Sequence, residues 1–255
     1  MMLTDKTKME AFEVELTTAK NYLLLTERIA KKPMLRTRFT SQSYFVLAAL
    51  LDLADQDILT IDDNLDVKDG EKFAQLPSYL SVFKSELSDE INQNRELKDR
   101  LSVITSWDIA NQLYDGLGSE LLAADLVTKV SFKNNLDTHV IYVPKAKARN
   151  QVREELREQI NSSKISRNAI SLVVILEQLD ALKWVFTDQD ESSELTSAFH
   201  QQVDGDAFYA KEKALAKLAQ DIITRKKFWF DSWLSWGGVN LPGMATISTV
   251  NMDIQ

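Results

Sequence analysis

Seven basic side chains in two short runs are the residues of this chain best placed to do chemistry. Lys31, Lys32, Arg36 and Arg38 fall within eight positions, and Lys145, Lys147 and Arg149 alternate within five. If packing brings the runs together, they can hold a phosphate or sulfate by charge-assisted hydrogen bonds. For Lys31 and Lys32 the plainer role, favoured here, is to complement the C-terminus of the preceding helix. A third candidate is Arg225-Lys-Lys-Phe-Trp-Phe-Asp-Ser-Trp-Leu-Ser-Trp236, which sets cations beside aromatics. Phe228, Trp229, Trp233 and Trp236 suit a membrane interface, where indole tolerates headgroup polarity while its ring is buried. Aromatic stripes are more often core, so packing onto the protein itself or a partner is the first expectation for them.

Catalytic constellations are not legible. His139 and His200 lie 61 residues apart, with no Ser, Cys or carboxylate pattern that marks a triad. Asp188-Gln-Asp-Glu-Ser-Ser-Glu194 mimics the start of a calcium loop, but its sixth position is Ser193 and its twelfth Phe199. It reads as solvated loop. Asp62, Asp63, Asp66 and Asp69 read as acids that keep an exposed hairpin soluble. Gly116-Leu-Gly118 opens a dinucleotide fingerprint whose third glycine falls on Leu121. With no cysteine, thiolate zinc sites and a cysteine nucleophile are excluded. The expectation is a non-enzymatic protein with no cofactor and no metal.

The elements that must position these residues are mostly helical. The chain has only 7 Gly and 4 Pro, which disfavours an all-β fold with many tight turns. Phe12, Leu16, Ala19 and Leu23 recur at helical spacing, and Pro33 is expected to close that helix. Thr40 or Ser41 is expected to cap a helix through Tyr44, Leu47, Leu51 and Leu53 that is buried on most sides. Two helix-then-hairpin units follow, about 75 residues apart. The first hairpin pairs Ile58–Ile61 with Asn64–Val67, and the second spans Val130 to Val143. Between them, residues 72–104 read as helices broken near Pro77, and a further stripe is expected to be interrupted at Gly116 and Gly118. Helices are expected over 151–160, 168–186 and 207–227, with a polar loop over 187–206. From Phe228 the chain reads as an aromatic tail. The fold class is mainly α: one globular helical domain, 1–227, with one or two β-hairpins, followed by the tail 228–255.

The order of these elements resembles the Golgi phosphoprotein three family. The resemblance covers roughly residues 12–185. It rests on Tyr22-Leu-Leu-Leu-Thr-Glu27, Ala48-Ala-Leu-Leu-Asp-Leu-Ala54 with Ile58-Leu-Thr-Ile61, Thr105-Ser-Trp-Asp108, and Asp125-Leu-Val-Thr-Lys129 before a hairpin. A basic helix and an apolar one, Arg167 to Leu182, complete it. It implies a mostly helical peripheral membrane protein, since eukaryotic members bind phosphatidylinositol 4-phosphate on Golgi membranes and sort membrane enzymes. The family's headgroup residues, a Trp and three Arg, align with Thr37, Val46, Gly116 and Ser119, none of which replaces a guanidinium. Its apolar hairpin tip is here the polar Lys133-Asn-Asn-Leu-Asp137, and its helix-ending glycines are Asp57 and Val130. The resemblance therefore implies the fold without the phosphoinositide pocket, with Arg36 and Arg38 nearest to a substitute.

The functional expectation is a cytoplasmic, membrane-associating adaptor that binds anionic headgroups or a partner protein, with self-association through the tail as a related outcome. Lys31, Lys32, Arg36, Arg38, Lys145, Lys147 and Arg149 are the anion-binding candidates, and Phe228, Trp229, Trp233 and Trp236 the membrane or partner contacts. The alternative is a winged-helix-like transcriptional regulator. A net charge of −8 and hairpin tips rich in Asp and Asn rather than Lys and Arg weigh against nucleic acid. No apolar run approaches the roughly 18 residues of a spanning helix.

Overall fold

The structure, a computed structural model, describes residues 14–28, 35, 38–133, 138–186 and 189–236, with side chains in the last helix described as far as Phe228. Helix α1 (Thr17–Thr26) packs against α2 (Phe39–Asp55), which is buried continuously from Gln42 to Leu53. Such all-round burial marks a central helix, and its run of Leu, Ala, Val and Phe supplies the apolar surface required. Neither Thr40 nor Ser41 caps it. The N-cap is Arg38, with no side-chain cap bond.

α2 runs into a hairpin of β1 (Leu59–Ile61) and β2 (Leu65–Val67), antiparallel with Ile61 opposite Leu65. Then come α3 (Gly70–Ala74), a 3-10 turn at Ser78–Leu80, α4 (Ser81–Asn92), α5 (Leu97–Arg100) and a second 3-10 turn at Leu101–Thr105. The long α6 (Trp107–Ala123) feeds the second hairpin, β3 (Val127–Lys133) and β4 (Thr138–Pro144). α7 (Ala146–Asn161), α8 (Arg167–Gln178), the short α9 (Leu182–Val185), α10 (Gln189–Gln202) and α11 (Ala207–Trp236) complete the fold. Buried side chains from α1 to α11 form one contiguous core, so the architecture is mainly α with two β-hairpins. Among the described residues no helix is long and apolar enough to cross a membrane.

Three sequence expectations need correction. α6 passes straight through Gly116 and Gly118 instead of breaking there. A Cβ on Gly116 would meet Tyr79 Cγ at 2.2 Å, and one on Gly118 would meet Tyr142 Cδ2 at 2.1 Å. These glycines admit two tyrosine rings to the helix surface. The segment expected as a polar loop over 187–206 contains α10, because Leu195, Phe199 and Val203 are spaced four apart and buried. The stretch expected as one helix over 168–186 breaks after Gln178, where Asp180 adopts φ 51°.

Asp180 belongs to a repeated device. Asp57, Asn94, Asp125 and Asp180 all have positive φ just past a helix end, where glycine is usual. Each helix closes with paired bonds, such as Asp57 N–H to Ala54 O (3.1 Å) and Ile58 N–H to Leu53 O (3.0 Å). Asp125 with Leu126 repeats this on Leu122 O and Leu121 O, at 3.0 and 2.9 Å. Asx side chains tolerate this backbone region better than others do.

The two helix–hairpin units match further. Lys68 N–H donates to Ile58 O (2.9 Å) and Lys145 N–H to Leu126 O (3.0 Å). Each lysine also pairs with the left-handed aspartate of its own unit, Lys68 with Asp57 and Lys145 with Asp125. The first hairpin is then tied down from outside. The buried Arg100 donates to Leu65 O (3.1 Å) and pairs with Asp66, Lys211 pairs with Asp62, and Asp69 caps α3. Those acids are structural, not merely solubilising.

Candidate functional site

Two groups of polar residues stand out: a solvent-facing cleft and a buried network behind it. The cleft, about 390 Å³, lies where the start of α2 meets the end of α8 and the far part of α11. Arg38, Phe39, Thr40 and Ser41 form one side, and Gln178, Leu179, Ala181 and Trp184 another. Lys227 of α11 completes the rim, and Tyr22, Thr26 and Leu35 also line it. Tyr22 O–H donates to Ser41 O at 3.0 Å. Burial raises that phenol well above its usual range, so it stays a neutral donor, with Ser41 and the nearby Arg38 charge acting the other way.

The chemistry of this cleft is cationic. Arg38 is exposed and, among the described residues, has no carboxylate partner. Without a side-chain cap, α2 presents its first amides and the positive end of its dipole at the same place. Among the described residues, no acceptor is seen for the amides of Phe39, Thr40 and Ser41, and the first turn closes with Gln42 N–H on Arg38 O at 2.9 Å. The Phe39 ring lies 5.7 Å from that of Trp107, tilted by 38°, and Trp107 is 45% exposed, so the edge of the site is aromatic. Beyond Lys227, α11 continues without a break to Trp236, and Phe228 is 74% exposed. At Phe228, then, the aromatic segment does not pack into the core.

Behind the cleft, Glu27 is fully buried at the end of α1. Its Oε2 accepts from Tyr114 O–H (3.0 Å) and Leu35 N–H (3.2 Å). The Tyr114 phenol oxygen accepts in turn from Tyr142 N–H (3.0 Å), and Tyr142 O–H meets Ser119 Oγ at 3.1 Å. Glu27 Oε1 has no hydrogen-bond partner among the described residues. Burial pushes the carboxyl up to about 7, against the opposing pull of Tyr114, Leu35, Arg28 and Arg149. Arg149 donates from Nε to Leu24 O (3.0 Å) and from a terminal nitrogen to Glu27 O, closing the last carbonyls of α1. Burial lowers its affinity for its proton, and Glu27 offsets this.

The seven candidate cations therefore divide. Arg38 faces the cleft. Arg149 and Lys145 are engaged internally, and Lys147 is exposed on α7. Lys31, Lys32 and Arg36 lie outside the described residues, as do the side chains of Trp229, Trp233 and Trp236. Lys227, which the basic-run reading did not single out, is the cation that joins Arg38. It was visible only as part of the Arg225–Lys227 triplet.

One arrangement eluded the sequence. His200 Nε2 lies 2.8 Å from Glu177 Oε1, and Tyr209 O–H 3.1 Å from His200 Nδ1. Carboxylate, imidazole and phenol come from α8, α10 and α11. The Phe199 ring packs edge-on against both His200 and Tyr209. Burial raises the Glu177 carboxyl, while His200 and Lys213 oppose the rise. His200 is exposed, and the chain of bonds ties three helices together at the surface. Among the described residues no group of three His, Asp or Glu side chains is arranged to hold a metal ion.

Of the four residues aligned with the headgroup pocket of the family that the sequence resembles, Thr37 lies outside the described residues and the other three do other work. Val46 is in the core, Gly116 abuts Tyr79, and Ser119 bonds Tyr142 and Asp115 O. Compared with known proteins, the chain matches no family profile and no curated sequence.

Proposed function

We propose that this protein is a peripheral membrane adaptor that docks on anionic surfaces through the Arg38–Lys227 cleft, with the aromatic end of α11 entering the interface beside it. The observation that carries this reading is the meeting of two cations and the uncapped start of α2 in one open cleft. Lys227 is followed directly by the exposed Phe228 in the same helix. Each cation near an anionic leaflet contributes about 1 kcal/mol, and a buried aromatic adds roughly 2 kcal/mol. Either alone anchors weakly, so binding is reversible and needs both. The resemblance to the Golgi phosphoprotein three family supports the same class of function. It does so without the family's pocket, because the residues aligned with that pocket lack its arginines. Binding rather than catalysis is supported by a site whose charges are all of one sign.

Liposome flotation tests the reading. The intact protein is expected to float with phosphatidylserine vesicles at low salt and not with neutral ones. The double variant Arg38→Ala, Lys227→Ala should lose about tenfold or more in affinity, as two cations at about 1 kcal/mol each imply. Equal binding by the double variant and the parent, at an unchanged melting temperature, overturns the proposal.

A further inference from the structure

The buried Glu27 and the cleft are mechanically joined. Leu35 lines the cleft, its N–H donates to Glu27 Oε2 (3.2 Å), and its carbonyl accepts from Arg38 N–H (3.2 Å). Thr26, the residue before Glu27, lines the same cleft. The carboxylate thus sits one residue behind the cleft wall, fully buried, with one oxygen unpartnered among the described residues. Arg149 of α7 faces it through the carbonyl of Glu27 itself, and Tyr114 of α6 donates to it. The β4 amide of Tyr142 stands behind Tyr114, and Arg28 adjoins along the chain.

We propose that proton uptake by Glu27 strengthens anion binding in the cleft, so that the affinity of this surface for anions rises as pH falls. The inference rests on the reading of the cleft as an anion site. An anion placed there adds negative charge on the other side of Leu35, which disfavours ionised Glu27. Linkage makes the effect reciprocal: whatever factor the anion adds to the proton affinity, the proton adds to the anion affinity. The ordinary position of this carboxyl, pushed up by burial to about 7, puts the change within the neutral range.

The test measures partition of the full chain onto vesicles of equimolar phosphatidylcholine and phosphatidylserine, at about pH 6 and about pH 8. The parent should bind roughly three- to tenfold more tightly at the lower pH, as expected for one charge removed behind the cleft through partly screened surroundings. Glu27→Gln should bind with the acid-form affinity at both. Sodium sulfate forms a second arm, read as the rise in melting temperature beyond that of the Arg38→Ala, Lys227→Ala variant, because sulfate also stabilises proteins non-specifically. A response to sulfate marks a free-anion site, vesicle binding alone marks a lipid surface, and the pH linkage must appear in whichever binds. Glu27→Gln keeping the parental pH dependence overturns the linkage and leaves the anion site standing. No binding in either arm at either pH overturns the anion reading and the linkage with it. Should Glu27→Gln not fold, Tyr114→Phe removes a donor to the ionised carboxylate. The pH midpoint must then move up by about one unit, and an unmoved midpoint overturns the proposal.

Discussion

Arg149 and Arg38 carry the same guanidinium, and both stand out in the sequence as members of basic runs, yet the fold uses them in opposite ways. Arg149 is half-buried and closes the C-terminal carbonyls of α1 beside a buried carboxylate. Arg38 stands exposed at the N-terminus of α2, where it adds to a helix dipole of its own sign. The first placement lowers the energy of the fold. The second costs some stability and leaves a positive charge open to solvent, as a binding surface requires. A basic run is therefore not a unit of function, because what matters is which helix end each charge meets.

The comparison breaks if the two arginines behave alike. Arg149→Ala should produce the largest effect, a loss of about 3 kcal/mol, because two carbonyls at the end of α1 lose their donor and the buried Glu27 loses a nearby positive charge. Urea denaturation would show this as a lower midpoint, while the protein that remains folded should still bind anionic vesicles. Little change in the midpoint would mean that α1 does not depend on Arg149.

The next effect concerns pH. Burial raises Glu27 and Glu212 to about 7 and Asp52 to about 6. Asp52 nevertheless accepts from Thr18 N–H and Ala19 N–H, and Glu212 from Ser171 O–H. All three bind their protons more tightly when folded than when unfolded. Their stabilising contribution is thus complete below the unfolded value of about 4 and is lost as pH rises through about 6 to 7. Unfolding free energy should be higher at pH 5 than at pH 8 by at least about 2 kcal/mol. Chemical denaturation across that range checks it, and a flat or opposite profile would show that these carboxyls are better solvated than their burial implies.

Arg38→Ala alone should cost about 1 kcal/mol in vesicle affinity, or roughly fivefold, with the melting temperature no lower than the parent's. Lys147→Ala should do least. The residue is exposed on α7 and lines no part of the cleft, so stability should stay within about 0.5 kcal/mol and vesicle affinity should be unchanged. A binding loss at Lys147 equal to that at Arg38 would show that diffuse charge, not the cleft, attracts the surface.

Much of the fold was legible because it is written in short-range patterns. The spacing of Tyr44, Leu47, Leu51 and Leu53 marks a helix whatever lies around it, and Asp62-Asp-Asn64 between the alternating Leu59-Thr-Ile61 and Leu65-Asp-Val67 marks a turn. Where the reading failed, a second segment supplied the missing information. Gly116 and Gly118 look like breaks until Tyr79 and Tyr142 are seen to occupy the space a Cβ would fill. Gln189–Glu194 looks like solvated loop until Leu195, Phe199 and Val203 are counted as one buried stripe. That signal was present in the sequence and was masked by the polar residues before it.

By itself the sequence determined the mainly helical class, the two helix–hairpin units and the lack of cysteine chemistry, since composition and i, i+3, i+4 periodicity are local properties. Only the tertiary structure decided which charges meet. It set Lys227 beside Arg38 across 189 positions of chain, turned Arg149 inward onto α1, and brought Glu177 and Tyr209 to His200. Such encounters follow from how whole helices pack, and no short window of residues encodes the distance between two helix ends.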